Sequence, residues 1–540
     1  MLTRKTETPN VAAKVSGAVS DQNALAESRH ANFKTEMGRI SRQSSIAFAG
    51  TIFTAIVGYG FKIYLARFLG ADALGLYALG ITIISFLGIV NILGIPESAV
   101  RFVAEYSAGK KIPQLRALLW NGSWILVATN LVFGAVLLKV GPWIALHVYH
   151  APQLERYLPL FAGVMFLSAL NHFYGNVMTG YREAGRRNII SKFIASPTSI
   201  AATVLLVTFG YGLGGYLVAQ VLSAFCILAL LVYWVWRLTP REARSLDLHR
   251  LGMGREVWVF SAAMFGIGLM QFLMVQTDRV VLGMYRGARD VGIYSVVVSM
   301  IAYETIFLQS VNQIFAPVIA DIHARSEREV LSRLFQTLTK WILGLTLPLA
   351  TVVILYAPAI MRMFGKDFEA GWPALVVGTF GQLVNCGVGS VGFLLLMSGH
   401  ERRLVRVQMV MATVMVILCF NLVPRWGALG AAAAAAITNA GMNLLNLIEV
   451  RRALKLSPYN WSYLKLLPPV GGAALVVLLL RRSSTFGGAQ LLAAATALVL
   501  AYMVFGIVAF WTGLDADDRL ITNAIATRLR STFSKTRSGS

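Results

Sequence analysis

The chain has 540 residues, of which 56% are hydrophobic and only 14% charged. That is too apolar for an ordinary water-soluble enzyme and far too long for a protein with one membrane span. The formal charge of +23 raises nucleic acid as a partner, but no basic soluble domain exists to carry that role, so composition leaves a protein that crosses a membrane many times.

Residues 1–44 form a basic, polar tail with no apolar core of signal-peptide type. Within it Phe33, Met37 and Ile40 fall at i, i+4 and i+7 beside Lys34, Arg39 and Arg42, so a short interfacial helix is expected. A spanning helix needs about 20 mostly apolar residues. Roughly fourteen such stretches follow the tail, beginning near Ser45, Ala73, Leu118, Tyr157, Ile189, Gly215, Val257, Val291, Gln336, Pro373, Leu404, Trp426, Lys465 and Gln490. The expected fold is all-α and polytopic. The three cysteines, Cys226, Cys386 and Cys419, lie in apolar spans, so neither a disulfide framework nor zinc spacing is present. No Walker loop, nucleophile elbow or His-Glu-x-x-His occurs, and no metal, cofactor or catalytic residue is expected.

The spans repeat. Gly70-Ala71-Asp72-Ala73-Leu74-Gly75-Leu76-Tyr77 returns as Gly287-Ala288-Arg289-Asp290-Val291-Gly292-Ile293-Tyr294, 217 positions later (287 minus 70). Near that offset the stretch 149–159 echoes 364–373, Met178-Thr179-Gly180 echoes Met397-Ser398-Gly399, and Gly212-x-x-Gly215 echoes Gly427-x-x-Gly430. The repeat divides the chain into spans one to six (45–236), a cytoplasmic linker (237–256) carrying Pro240, spans seven to twelve (257–450), a final pair (451–512) and a C-terminal tail (513–540). Each unit holds an even number of spans, so the two lobes are parallel, related by an axis along the membrane normal.

With the N-terminus in the cytoplasm, Lys and Arg sort into 36 in cytoplasmic segments, 10 in outward loops and 2 within spans, which accounts for all 48. This is the positive-inside bias. Clusters such as Arg182, Arg186, Arg187 and Lys192, or Arg402, Arg403 and Arg406, therefore read as topology signals that also touch anionic membrane lipids. The outward loops are short. Membrane-embedded polymerases, ligases and glycosyltransferases need loops bearing catalytic acids or His, and no Asp-x-Asp pair is present, so the chain is not expected to be an enzyme.

Leu65-Ala66-Arg67-Phe68-Leu69-Gly70 with Gly75-Leu76-Tyr77, Phe364-Gly365-Lys366-Asp367-Phe368-Glu369-Ala370, and Trp426-Gly427-Ala428-Leu429-Gly430-Ala431-Ala432 resemble, in order and spacing, the junctions of polysaccharide-repeat-unit flippases. Those belong to the multidrug/oligosaccharidyl-lipid/polysaccharide superfamily, and the resemblance runs from about Ser45 to Lys465. It implies two six-helix lobes forming a V around a central cavity, with a C-terminal helix pair. It also implies alternating access and a cargo of undecaprenyl-pyrophosphate-linked oligosaccharide moved across the bacterial inner membrane. A polysaccharide polymerase and glycosyltransferases would be its working partners. The basic tail lies outside that pattern.

The two basic residues within spans, Lys62 and Arg279, are repeat equivalents (62 plus 217 is 279). A charge near mid-membrane costs a few kcal/mol, so it normally faces protein or water and marks a pathway. Facing each other across the cavity, this pair suits a pyrophosphate. The bland alternative is that both snorkel toward the exit glycine about 12 Å away. Asp278 lies beside Arg279, with Gln271 one heptad earlier on the same face, and Glu304 is the other acid held within a span. Either acid is expected to pair with Lys62 or Arg279, or to take up a coupling proton. Further cavity candidates are Arg67, carried by the first motif, and polar stripes on single helix faces. These are His172, Asn176 and Thr179 on the fourth span, Thr305, Gln309 and Asn312 on the eighth, and Asn439, Asn443 and Asn446 on the twelfth. For the twelfth, interhelical hydrogen bonding beside the 431–436 alanine tract is the favoured reading.

The sequence thus leads to a flippase for lipid-linked polysaccharide precursors. Alternatives are a lipid II flippase, a cation or drug antiporter of the same superfamily, and a non-transporting scaffold of a glycan-assembly complex. The antiporter reading suffers because the first helix offers Lys62 and no acid.

Overall fold

The computed structural model describes residues 57–244, 252–325, 327–483 and 490–512. The interfacial helix expected around Phe33, the start of the first span, most of the linker beyond Arg244 and the C-terminal tail lie outside the described residues. Among the described residues the chain is almost wholly helical and contains no strand.

The first repeat contributes α1 (Val57–Ile92), α2 (Ile95–Ala108), α3 (Ile112–Trp143), α4 (Leu158–Gly180), α5 (Ala195–Leu206) and α6 (Gly212–Leu238). The second contributes α7 (Arg255–Arg286), α8 (Ala288–Glu304), α9 (Ile306–Ala324), α10 (Arg328–Leu355), α11 (Trp372–Val388), α12 (Val391–Met397), α13 (Glu401–Trp426) and α14 (Ala428–Leu454). The final pair, α15 (Leu467–Ser483) and α16 (Gln490–Trp511), packs on α10. There Tyr502 donates to the carbonyl of Leu345 at 2.8 Å.

Ten of the described helices are long and apolar enough to cross a membrane, or up to twelve if each of two bent pairs is one span. The sequence suggested about fourteen. The difference has a geometric source. Val57–Ile92 and Ala184–Leu238 are each continuous by hydrogen bonding, yet run 36 and 55 residues, roughly 54 and 82 Å at 1.5 Å per residue, against a hydrocarbon core of about 30 Å. Each also turns at left-handed glycines, Gly70 (φ 79°) in the first, Gly210 (φ 88°) and Gly212 (φ 51°) in the second. Two bends escaped the sequence reading. The α8–α9 pair bends by 48° at Thr305, and the α11–α12 pair by 45° at Gly389 and Ser390.

The repeated octapeptide explains itself once the halves are seen together. A Cβ on Gly75 would lie 1.7 Å from the Ala288 carbonyl oxygen, and a Cβ on Gly292 would lie 2.0 Å from that of Ala71. Gly75 and Gly292 are repeat equivalents, as are Ala71 and Ala288, so the contact is reciprocal. Only hydrogen at both glycines lets the two backbones touch. Nearby contacts cross between the halves in the same sense. Tyr149 packs on Gly283, and its counterpart Phe364 meets Tyr59 edge-on at 6.1 Å. Buried apolar residues form one cluster shared by both halves at this Gly70/Gly287 end, including Leu79, Phe161, Leu282, Tyr294 and Phe364. Away from it the core divides. One cluster, around Phe102, Leu118 and Phe173, comes mostly from the first repeat, and another, around Phe335, Leu394 and Leu447, from the second. The halves meet again along α2 and α7, where Ser98 and Ser261 hydroxyls lie 2.5 Å apart and Tyr106 donates to Glu256 at 3.1 Å.

Candidate functional site

Lys62 sits on α1, eight residues before the Gly70 turn, and Arg279 on α7, eight before Gly287. Lys62 donates across to Ser299 on α8, and Arg279 lies within Coulombic reach of it. Neither side chain runs toward the glycine end. Ser299 is twelve residues beyond Gly287, and Arg279 turns back one helical turn to donate to Gln276 Oε1 at 2.8 Å. Both side chains are therefore engaged away from the glycine end. The Arg279 Nε is buried and has no protein partner, which leaves one donor of a planar fork available to an anion.

Asp278 is 5% exposed, and its partner differs from the one expected. One carboxylate oxygen accepts the Arg279 backbone N–H and the other the Tyr294 hydroxyl, both at 2.8 Å. No ion pair with Lys62 or Arg279 forms. Helix geometry accounts for this: Asp278 and Arg279 are adjacent residues and point about 100° apart, while α8 folds back beside α7 and brings Tyr294 opposite. Glu304 is likewise without a cation. It is 1% exposed, accepts the Thr379 hydroxyl at 2.8 Å and keeps one oxygen unpartnered.

Arg67 stands apart from the interior. It is exposed and donates from Nε to the Met363 carbonyl at 2.8 Å, clamping the two halves at the glycine end. His172 lies 3.6 Å from Glu97 on α2, an acid the sequence reading passed over because it follows the Leu93-Gly94-Ile95-Pro96 break. Asn176 donates to the Pro96 carbonyl at 2.9 Å. Arg187 donates to Asn176 Oδ1 at 2.8 Å and to Thr179 Oγ1 at 2.9 Å, so it is more than a topology signal. The first-half stripe is thereby consumed in internal bonding.

The second-half stripes behave differently. Between the bent pairs α8–α9 and α11–α12, and against α7, α13 and α14, lies a cavity of about 510 Å³. Its polar lining includes Gln271, Asp278, Asn312, Gln382, Asn439 and Asn443. The favoured interhelical role for the twelfth-span asparagines is not what α14 shows. Asn443 donates to Asn439 on its own helix, and Asn446, 2% exposed, faces the cavity with its carbonyl oxygen unpartnered. Gln382, Asn385 and Gln408 were missed although amides inside apolar spans were the available signal. Among the described residues no cluster of His, Cys, Asp or Glu could hold a metal ion.

A family described as "Polysaccharide biosynthesis protein" matches residues 40–323. The succinoglycan biosynthesis transport protein ExoT of Rhizobium meliloti (strain 1021) is 23% identical over 312 residues, 58% of this chain and 60% of that protein, so the chain spans less than two thirds of that relative's length. The protein named "Probable flippase AglR" of Haloferax volcanii is 23% identical over 448 residues, covering 80% of this chain and 86% of its own. Among solved structures, the lipid II flippase MurJ in an inward closed conformation superposes with a TM-score of 0.66 at 16% identity, covering 85% of this chain and 97% of that one. An inward-facing multidrug resistance transporter of the MATE family gives 0.59 at 15% identity, covering 75% and 94%. These two share the fold.

Proposed function

Because the chain belongs to the polysaccharide biosynthesis protein family of membrane transporters, we propose that it flips an undecaprenyl-pyrophosphate-linked oligosaccharide from the cytoplasmic to the outer leaflet of a bacterial inner membrane. It does so by alternating access and makes or breaks no covalent bond. Both termini are cytoplasmic, so the Gly70/Gly287 end faces outward. The names of the succinoglycan transport protein and the archaeal flippase support a cargo of this class.

The observation that carries the reading is that Lys62 and Arg279, repeat equivalents with one from each half, both turn away from the glycine end, while Arg279 keeps a buried donor without a protein partner. Delocalised anionic oxygens accept charge-assisted hydrogen bonds from both. The two cations repel each other while empty, and a pyrophosphate between them removes that repulsion. Each half holds one member, so movement of the halves against each other changes the spacing of the pair and with it the grip on the anion.

The test is replacement of both. A stably inserted Lys62→Ala, Arg279→Ala double variant is expected to abolish surface polysaccharide and to accumulate lipid-linked precursor on the cytoplasmic side. Lys62→Arg keeps much of the activity, because charge matters more there than fork geometry, and Lys62→Glu is inactive. Normal surface polysaccharide from the double variant rules out the anion site.

A further inference from the structure

We propose that the cavity inside the second repeat is the compartment for the sugar rings of the cargo, and that it selects neutral, hydroxyl-rich sugars. The inference rests on the flippase reading above and deepens it.

The cavity lies where two neighbouring helices, α8 and α11, are each broken after 17 residues. Inside a bilayer, interrupted helices persist only where the freed backbone faces protein or a polar cavity. Here the breaks at Thr305 and Gly389 open the space, and Asn312, Gly389 and Ser390 line it. At about 510 Å³ it falls among ordinary small-molecule sites and is much larger than one ion requires.

Its chemistry is that of amides. Gln408 donates to Gln271 at 3.3 Å, Asn385 to Gln382 at 2.9 Å, and Asn443 to Asn439 at 3.1 Å. A primary amide offers two donors and two acceptor sites, so each pair keeps both kinds free. Three further groups are buried, belong to residues lining the cavity and lack any protein partner: the side-chain carbonyl oxygens of Asn312 and Asn446 and the Thr438 hydroxyl. Buried polar atoms are almost always satisfied, so these three await a ligand or water.

The balance of donors and acceptors identifies the ligand class. A hard cation takes oxygen acceptors alone, and a pyrophosphate takes donors alone. A sugar hydroxyl is both. No Lys, Arg or His lines the space, which removes the pyrophosphate. The single acid, Asp278, already has both oxygens engaged by Tyr294 and the Arg279 backbone, so it offers little to a cation and repels an acidic sugar. Met274, Val275 and Phe393 supply apolar surface for the C–H faces of a ring. Asp278 on the cavity wall precedes Arg279 on α7, so the cavity lies at the depth of Arg279, about a quarter turn around the same helix, within reach of the first sugar if the pyrophosphate is bound there.

The test uses the purified full-length protein and two probes, farnesyl pyrophosphate and farnesyl pyrophosphate carrying a neutral disaccharide, with binding read by calorimetry. Wild type is expected to bind the sugar-bearing probe about tenfold tighter, worth one or two net hydrogen bonds. Asn446→Leu and Gln382→Leu are expected to lose that advantage while binding farnesyl pyrophosphate as before. If these variants do not fold, protection of Asn446→Cys from alkylation by the disaccharide probe, and not by farnesyl pyrophosphate, gives the same answer. A sugar advantage that survives in both leucine variants, or no advantage in wild type, overturns the cavity assignment and leaves the anion site standing. A melting shift produced by sodium in wild type and lost in Asn446→Leu also overturns it, in favour of a cation site. Failure of wild type to bind either probe removes the flippase reading itself.

Discussion

Substituting Gly75 with leucine wedges the reciprocal seam. Its Cβ alone would sit 1.7 Å from the Ala288 oxygen, where ordinary contact begins at 3.4 Å, so the halves must part by about 1.7 Å (3.4 minus 1.7). Overpacking of this kind costs about 1–3 kcal/mol. The cost falls only on the conformation closed at the glycine end, so the equilibrium shifts about 5- to 150-fold toward opening there. The assay is the rate at which an impermeant thiol reagent, added outside intact cells, labels Ser299→Cys in a chain whose own three cysteines are replaced. Ser299 lies just inside the seam as the acceptor of Lys62. Gly75→Leu and Gly292→Leu should each raise the labelling rate within that range. The double variant should be far less than additive, because one side chain has already parted the surfaces the other would strike. Unchanged labelling in well-inserted single variants, or full additivity in the double, refutes the seam as the outer gate.

Tyr294→Phe strips Asp278 of a hydrogen bond in a buried setting, so melting in detergent should fall by the equivalent of about 1–3 kcal/mol. Asp278→Asn in the same background should recover part of the loss, since a neutral amide then replaces the under-bonded carboxylate; no recovery would mean the hydroxyl is not the carboxylate's support. Single cysteines at Lys110 and Lys366 test orientation. The first should resist an impermeant reagent in intact cells and the second should label, and the reverse pattern would invert the whole assignment of sides.

Much of this arrangement is legible in the sequence, for identifiable reasons. The octapeptide repeat registers the seam because a close backbone approach demands glycine in both copies, and glycine is conspicuous. Lys62 and Arg279 are found by the same offset, and both turn away from the glycine end. What escapes is set by chain geometry that periodicity does not encode. Tyr294 reaches Asp278 from 16 residues away across a turn. The amides of α11, α13 and α14 converge only because α8–α9 and α11–α12 bend, and neither Thr305 nor Gly389 looks like a break in a hydropathy profile. Glu97 was hidden by its place at the end of an apolar run.

The reciprocal seam has a consequence for the ancestry of its shape. A patch that meets its own copy is self-complementary, which is the contact of a two-fold dimer. The surface formed by Ala71 and Gly75 would fit a second Ala71–Gly75 surface as well as it fits Ala288 and Gly292, so this end of the molecule is geometrically a homodimer joined into one chain. The interior has lost that equivalence. Where the second repeat places Asp278 against Tyr294, the first has Phe61 in the equivalent position, and Tyr77 turns instead to Tyr216. A symmetric seam thus closes over unlike chambers, an arrangement suited to a passenger whose two ends differ in chemistry.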